Sequence, residues 1–267
     1  MKRSTTPLLP YVMRQHRQDY SPSTQRAFKV LQSLLPDDSF SQSQWRVGLE
    51  YYARRIEVVA TDRRLLLVDL GCGTGNWSIA GSTIFKDIVG VDVNAGRLNA
   101  AKHLASALSA RNVQFYECPI ESAPVSNQTA DCVLLCNVLP YARNWRASLL
   151  RAVDYLHEDG SLLVGWVDFG IILYTFLESI VGCSRTRLAD FYRMTIDRTV
   201  RGGVDKPALW ISKRKVWDVV AQIGLRRVLH GDGMAIGGTC ETAPMLPRRF
   251  AGTPFYHELI LRKRAIQ

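Results

Sequence analysis

Short apolar blocks alternate along the chain with stretches in which apolar residues recur every three to four positions. Residues 65–68, 88–92, 131–136 and 161–167 are near-continuous apolar runs, with a further strand over 113–117. Such runs read as strands buried on both faces, as in a parallel sheet. Between them lie helical patterns. Residues 25–35 stop before Pro36. Residues 41–60 place Trp45, Leu49, Tyr52, Ile56 and Ala60 on one side, with Ser41 or Ser43 as the cap. Residues 76–85 and the alanine-rich 95–110 follow, the latter with Leu98, Ala101, Leu104, Ala105 and Leu108 together. Residues 144–157 carry Asn144 as N-cap and Gly160 beyond the end. Strand and helix alternating in this way predict an α/β fold with a mainly parallel sheet.

The pattern changes after the fifth strand. Residues 169–182 and 188–200 read as two helices, the first strongly apolar but too short to span a bilayer and carrying Glu178. Ser212 is placed to cap a helix over 213–223, closed by Gly224, and 225–230 is a sixth strand. Residues 231–254 are rich in glycine and proline, a long loop that could cover a site. The last strand, 255–262, is expected to run antiparallel at the sheet edge. Residues 1–23 are basic and polar with scattered prolines, a disordered arm or a flap, without the apolar core of a signal segment.

Chemistry concentrates in the stretch 65–80, LLLVDLGCGTGNWSIA. A buried strand runs into Asp69 and then into three alternate glycines, Gly71, Gly73 and Gly75, before a helix begins. Glycines there let a ligand approach bare backbone. A dinucleotide fingerprint would want its third glycine at position 76, which is Asn76. The second strand ends in Asp92, roughly twenty residues after the loop, where a carboxylate can accept two ribose hydroxyls.

Asp-x-Gly-x-Gly-x-Gly followed by a strand-end acid resembles the class I S-adenosylmethionine (SAM) methyltransferases. The resemblance implies a doubly wound, seven-stranded, mainly parallel sheet with a reversed last strand and a helical lid insert after strand 5. It implies a division into an arm and helix (1–40), a SAM-binding core (41–168), a lid or acceptor insert (169–207) and the rest of the core sheet (208–267). It also implies that the loop holds the methionine part of the cofactor through Gly71, Cys72, Gly73 and Gly75, that Asp69 holds its ammonium end, and that Asp92, with Val93 beside it, takes the ribose. Many members place an Asp against the adenine amino group after the third strand; here that position is Pro119. Adenine contact then comes from backbone around Ile120, from Glu121, or not at all. After the fourth strand, Asn-Val-Leu-Pro-Tyr (137–141) places Asn137 at the cofactor's mouth. It is similar to the Asn-Pro-Pro-Tyr of amino-methylating enzymes, but one residue too long.

Composition sharpens the acceptor question without closing it. The chain has 267 residues, a net charge of +10 and a pI near 9.5. A basic balance favours anionic partners: phosphorylated small molecules, nucleic acid or a membrane surface. The insert contributes Arg185, Arg187, Arg193, Arg198 and Arg201, which could pair with Asp190 and Asp197 or clamp an anionic group. Six cysteines without a Cys-x-x-Cys pair or companion histidines read as reduced core residues of a cytoplasmic protein, with no metal set. Asp168, His230 and Tyr141, at strand ends or the loops that follow, are the candidate general bases. The reading is a SAM-dependent methyltransferase acting on an O or N of a small molecule or glycan. The alternatives are an RNA or tRNA methyltransferase and a non-catalytic SAM-binding accessory protein.

Overall fold

The computed structural model describes residues 21–46, 48–142, 144–167, 211, 213–223, 225–232, 249–250, 253–254 and 256–263. In chain order the helices are α1 (Pro22–Leu34), α2 (Ser39–Arg46), α3 (Leu49–Val59), α4 (Asn76–Gly81), α5 (Ala95–Ala107), α6 (Trp145–Tyr155) and α7 (Lys213–Gln222). The strands are β1 (Leu66–Leu70), β2 (Asp87–Asp92), β3 (Val113–Glu117), β4 (Ala130–Cys136), β5 (Leu156–Val167), β6 (Arg226–Asp232), the short pair β7 (Arg249–Phe250) and β8 (Thr253–Pro254), and β9 (Tyr256–Arg262).

One sheet runs in the order β3-β2-β1-β4-β5-β9-β6. The pairs β1–β2, β1–β4, β2–β3 and β4–β5 are parallel, whereas β9 is antiparallel to both β5 and β6. The reversed last strand therefore lies inside the sheet and not at its edge, because β6 covers its outer side. Order reverses between β1 and β4, so a crevice opens beyond their C-terminal ends. That is where open α/β sheets take ligands.

Alternation along each strand sends side chains to opposite layers. Val68, Leu70, Val133, Leu135, Leu162 and Val164 pack with Leu149, Ala152 and Tyr155 of α6 and with Val216 and Val220 of α7. Leu67, Leu134, Leu163 and Ile260 pack on the other face with Tyr52, Ile56 and Val59 of α3 and Trp77 of α4. A third cluster joins Ala27 and Leu31 of α1 and Trp45 of α2 to Leu98, Ala101 and Leu104 of α5.

The single helix expected over 41–60 is two. Gly48 has φ +85 and its N–H bonds to Trp45 O at 3.2 Å, so the chain turns there. Neither expected serine caps the first half: Asp38 accepts the Ser41 backbone N–H at 3.0 Å and the Ser41 hydroxyl at 2.8 Å. Helix α4 ends at Gly81 and not near residue 85. Helix α6 stops at Tyr155 because β5 begins at Leu156, five residues before the apolar run; Asn144 caps α6 as expected, accepting from Ala147 N–H at 3.2 Å. The insert 169–207, the capping residue Ser212, the loop 233–248 and residues 1–20 lie outside the described residues. Among the described residues no helix is long and apolar enough to cross a membrane.

Candidate active site

The crevice is built by two strand ends and the turns that leave them. Leaving β1, Gly71 N–H and Cys72 N–H both donate to Val91 O, at 2.8 and 2.9 Å, which stitches the glycine turn to the end of β2. Gly71, Gly73 and Gly75 all have positive φ (+75, +55 and +77), the region L side chains avoid. Their surroundings differ. A Cβ on Gly71 would lie 2.4 Å from Val138 Cγ2, and one on Gly75 would lie 2.8 Å from the Phe115 ring. A Cβ on Gly73 would meet nothing within 4 Å among the described residues. Two glycines are thus needed for packing, and the middle one presents open backbone.

Asp92 closes the other side. Its Oδ2 accepts Gly73 N–H at 2.8 Å and its Oδ1 accepts Asn94 N–H at 2.8 Å. The strand-end carboxylate and the open glycine, nineteen residues apart in sequence, are therefore in direct contact. Val93, next along, is 70 % exposed. Replacing Asp92 by Ala should weaken SAM binding roughly 30- to 100-fold, from two or so lost charge-assisted hydrogen bonds, and leave the folded fraction at 25 °C unchanged. Calorimetric titration beside a melting curve checks this; equal affinity would remove Asp92 from the site.

Asp69 is buried behind the loop and accepts Ser78 Oγ at 2.6 Å. Burial, and then the nearby charge of Asp92, push its pKa from the ordinary 3.8 up to about 7, against the pull of the Ser78 hydrogen bonds. Cys72 is buried beside it, and burial holds its thiol well above the usual value, in the neutral form. Among the described residues there is no His, Cys, Asp and Glu cluster that could hold a metal ion.

After β4, Asn137 takes φ +61, and its N–H donates to Gly165 O at 2.8 Å. Its Oδ1 is buried with no hydrogen-bond partner among the described residues. Val138, next in line, backs onto Gly71, so this turn and the glycine turn form one wall. Tyr141 is 62 % exposed in the short turn Leu139–Tyr141. His230 lies on β6 opposite Leu259. Asp168 falls outside the described residues.

Beyond β3, Cys118 N–H donates to Asp92 O at 3.1 Å and Pro119 opens the turn Ile120–Ser122. The Ile120 carbonyl accepts Tyr155 Oη at 3.0 Å, and Glu121 accepts Ser148 Oγ at 2.9 Å. The Ile120 carbonyl and the Glu121 carboxylate are thus both engaged by α6. Two features near the site carry little sequence signal. Thr74, inside the glycine stretch, is buried and accepts Trp45 Nε1 at 2.9 Å. Arg55 and Glu258 form a buried ion pair under the end of β5. Helical spacing marked Trp45 as buried; nothing local marked its partner.

Residues 67–160 match the family model described as a methyltransferase domain. An 89-residue stretch is 27 % identical to the 23S rRNA (uracil(1939)-C(5))-methyltransferase RlmD of Vesicomyosocius okutanii, covering 33 % of this chain and 20 % of that protein. The chain thus aligns with about a fifth of that relative's length. The fold is similar to the plantazolicin methyltransferase BamL, solved with a triazolic substrate analogue and S-adenosylhomocysteine (SAH). The TM-score is 0.57 and the identity 14 %, over 91 % of this chain and 97 % of that one. It is also similar to a SAM-dependent methyltransferase from Aquifex aeolicus, with TM-score 0.50 and 12 % identity over 91 % and 94 % of the two chains. The segment 67–160 is thus similar to a methyltransferase domain, and the likeness to the solved structures is one of fold. The open Gly73 backbone against the Asp92 carboxylate fits the S-adenosyl-L-methionine that the sequence resemblance implies.

Proposed function

We propose that the protein transfers a methyl group from SAM to an oxygen or nitrogen of an anionic small molecule or glycan. The observation that carries the cofactor half is the contact between Gly73, whose Cα faces open space, and Asp92. In this reading Asp92 receives the ribose hydroxyls, Val93 lies against the adenine edge, and Asn137 Oδ1 finds its missing donor in the bound molecule. Asp69, beneath the loop, faces the ammonium end. The cofactor supplies a methyl on a sulfonium that is already a good leaving group. The protein's share is alignment of the acceptor and exclusion of water. A hydroxyl acceptor needs its proton removed, and Asp168, His230 and Tyr141 remain the candidates; an amine that arrives unprotonated needs none.

The insert 169–207 is the proposed acceptor lid, and its five arginines are the proposed source of preference for an anionic group. Likeness of fold along nearly the whole chain to BamL, named as a plantazolicin methyltransferase, supports an acceptor that is not a nucleic acid. Net charge and the match to an rRNA methyltransferase favour a second reading, methylation of RNA or tRNA. Labelled methyl transfer to phosphorylated small molecules and to total RNA, at 50 and 300 mM salt, separates them. The first reading predicts turnover on a small acceptor that changes little with salt. RNA labelling that collapses with salt would replace it, since phosphate contacts are screened.

Asp69 makes the cofactor step sensitive to pH. Its folded pKa lies above the unfolded one, so the folded chain holds this proton longer. Asp69 therefore contributes a loss of stability as pH rises from about 4 to 7. An ammonium placed beside it favours the ionised form. SAM affinity should thus rise with pH until about 7 and then level off, with release of up to about one proton per chain near pH 6. Calorimetry in buffers of different ionisation enthalpy reads that proton. Release should vanish in Asp69→Asn; unchanged release there would assign it to another group.

A further inference from the structure

Helix α2 lies outside the matched methyltransferase segment, yet it is tied to both sides of the cradle. At one end, Trp45 is 1 % exposed and donates through Nε1 to Thr74 Oγ1 at 2.9 Å. Thr74, also 1 % exposed, stands between Gly73 and Gly75. At the other end, Asp38 caps α2 and accepts Arg97 Nε at 2.9 Å through Oδ2. Burial pulls the Asp38 pKa up, but the bonds from Ser41 and Arg97 outweigh it and leave the carboxyl below its ordinary value, ionised. Arg97 belongs to the first turn of α5, where its N–H is held by Asn94 Oδ1 at 3.0 Å; Asn94 N–H is in turn held by Asp92. One short helix thus bridges the glycine turn and the turn that follows the strand-end carboxylate.

A loop with three left-handed glycines has little intrinsic preference for one shape. Its backbone is fixed on one flank by Val91 O and by Asp92. Thr74 gives it a side-chain anchor on the opposite flank, and that anchor comes from outside the sheet. We propose that Trp45 is a positioning residue for the cofactor: its indole N–H, acting through Thr74, holds the Gly73–Gly75 turn in the shape that binds SAM. The proposal deepens the SAM reading and rests on it. Trp45 does not touch the open face of Gly73; it acts through the backbone that presents it.

The test is titration of SAM and SAH into the wild-type chain and four variants: Trp45→Phe, Thr74→Val, Thr74→Ser and the double variant Trp45→Phe/Thr74→Val. Loss of the bond should raise Kd for both ligands roughly five- to tenfold in each of the first two. The double variant should lose no more than the larger single loss, because both changes remove one interaction. Thr74→Ser keeps the hydroxyl and should bind within about twofold of wild type. A purely structural role would lower the melting temperature with SAM affinity unmoved, and that result overturns the proposal. So do additive losses in the double variant, or a Thr74→Ser loss equal to that of Thr74→Val. If Trp45→Phe does not fold, the Thr74→Val and Thr74→Ser pair decides, since the first removes the hydroxyl at nearly constant volume and the second keeps the hydroxyl but removes a methyl. A wild-type chain that binds neither ligand defeats the SAM reading itself, and the proposal with it; wild-type binding with unmoved variants defeats only the proposal.

Discussion

Gly73→Val should abolish SAM binding in a protein that still folds. Gly73 sits at φ +55, so any L side chain there is strained by about 1–2 kcal/mol, and a β-branched one by somewhat more. Among the described residues, Gly73's two chain neighbours aside, no atom lies within 4 Å of the added Cβ, so no core contact opposes it. The branched group would instead fill the space in which, on the proposed function, the cofactor meets bare backbone. Affinity should fall at least about 100-fold, close to 3 kcal/mol, while the melting temperature drops only several degrees. Gly75→Val and Gly71→Val make the contrast. Each drives its side chain into Phe115 or Val138 as well as straining the turn, and each should fail first in folding. Calorimetry and thermal melts on the three variants separate the two kinds of failure. A Gly73→Val chain that binds SAM like the parent would place the ligand elsewhere.

The second large effect concerns stability. Glu258 lies in mid-sheet on β9, directly opposite Gly165 of β5 and Gly231 of β6. Its carboxylate meets Arg55 of α3, and both side chains are almost wholly buried. Arg55 also donates to Tyr51 Oη, and its guanidinium lies 5.0 Å from the Tyr51 ring centre and 5.2 Å from that of Trp77. Removing either charge strands the other in apolar surroundings. Glu258→Gln or Arg55→Met should therefore each cost about 3–5 kcal/mol of unfolding free energy. For a domain whose total is roughly 5–15 kcal/mol, either change is a large fraction. The double variant Arg55→Met/Glu258→Leu should regain most of the loss, since no buried charge remains. Urea denaturation measures all three. A single variant losing under about 1 kcal/mol would mean that water reaches the pair.

The parts of this fold legible in the sequence are those set by local pattern. Strands β1, β2 and β4 are short because their apolar runs are short, and burial on both faces leaves little choice of residue type; β3, at the sheet edge, is mostly exposed. The glycine spacing and Asp92 were legible because ligand-facing backbone needs both at fixed distances from a strand end. What was hidden depends on partners distant in sequence. Trp45 and Leu49 share a helical spacing, yet a left-handed Gly48 between them splits one expected helix in two. Glu258 reads locally as the polar member of an edge strand, and only Arg55 explains its burial between β5 and β6. The extra residues at the start of β5 carry His157, Glu158 and Asp159, polar side chains that no apolar pattern would assign to a strand. Pro119 marked a departure at the adenine side, and the turn it opens has the Ile120 carbonyl and the Glu121 carboxylate already bonded to α6.

On the proposed function, the crevice between β1 and β4 takes a sulfonium nucleoside and not a dinucleotide. The decisive experiment is titration of the purified chain with SAM, SAH and NAD. One SAM or SAH should bind per chain, each displacing the other, with no heat from NAD. Saturable binding of NAD, with neither SAM nor SAH detected at millimolar concentration, would contradict it.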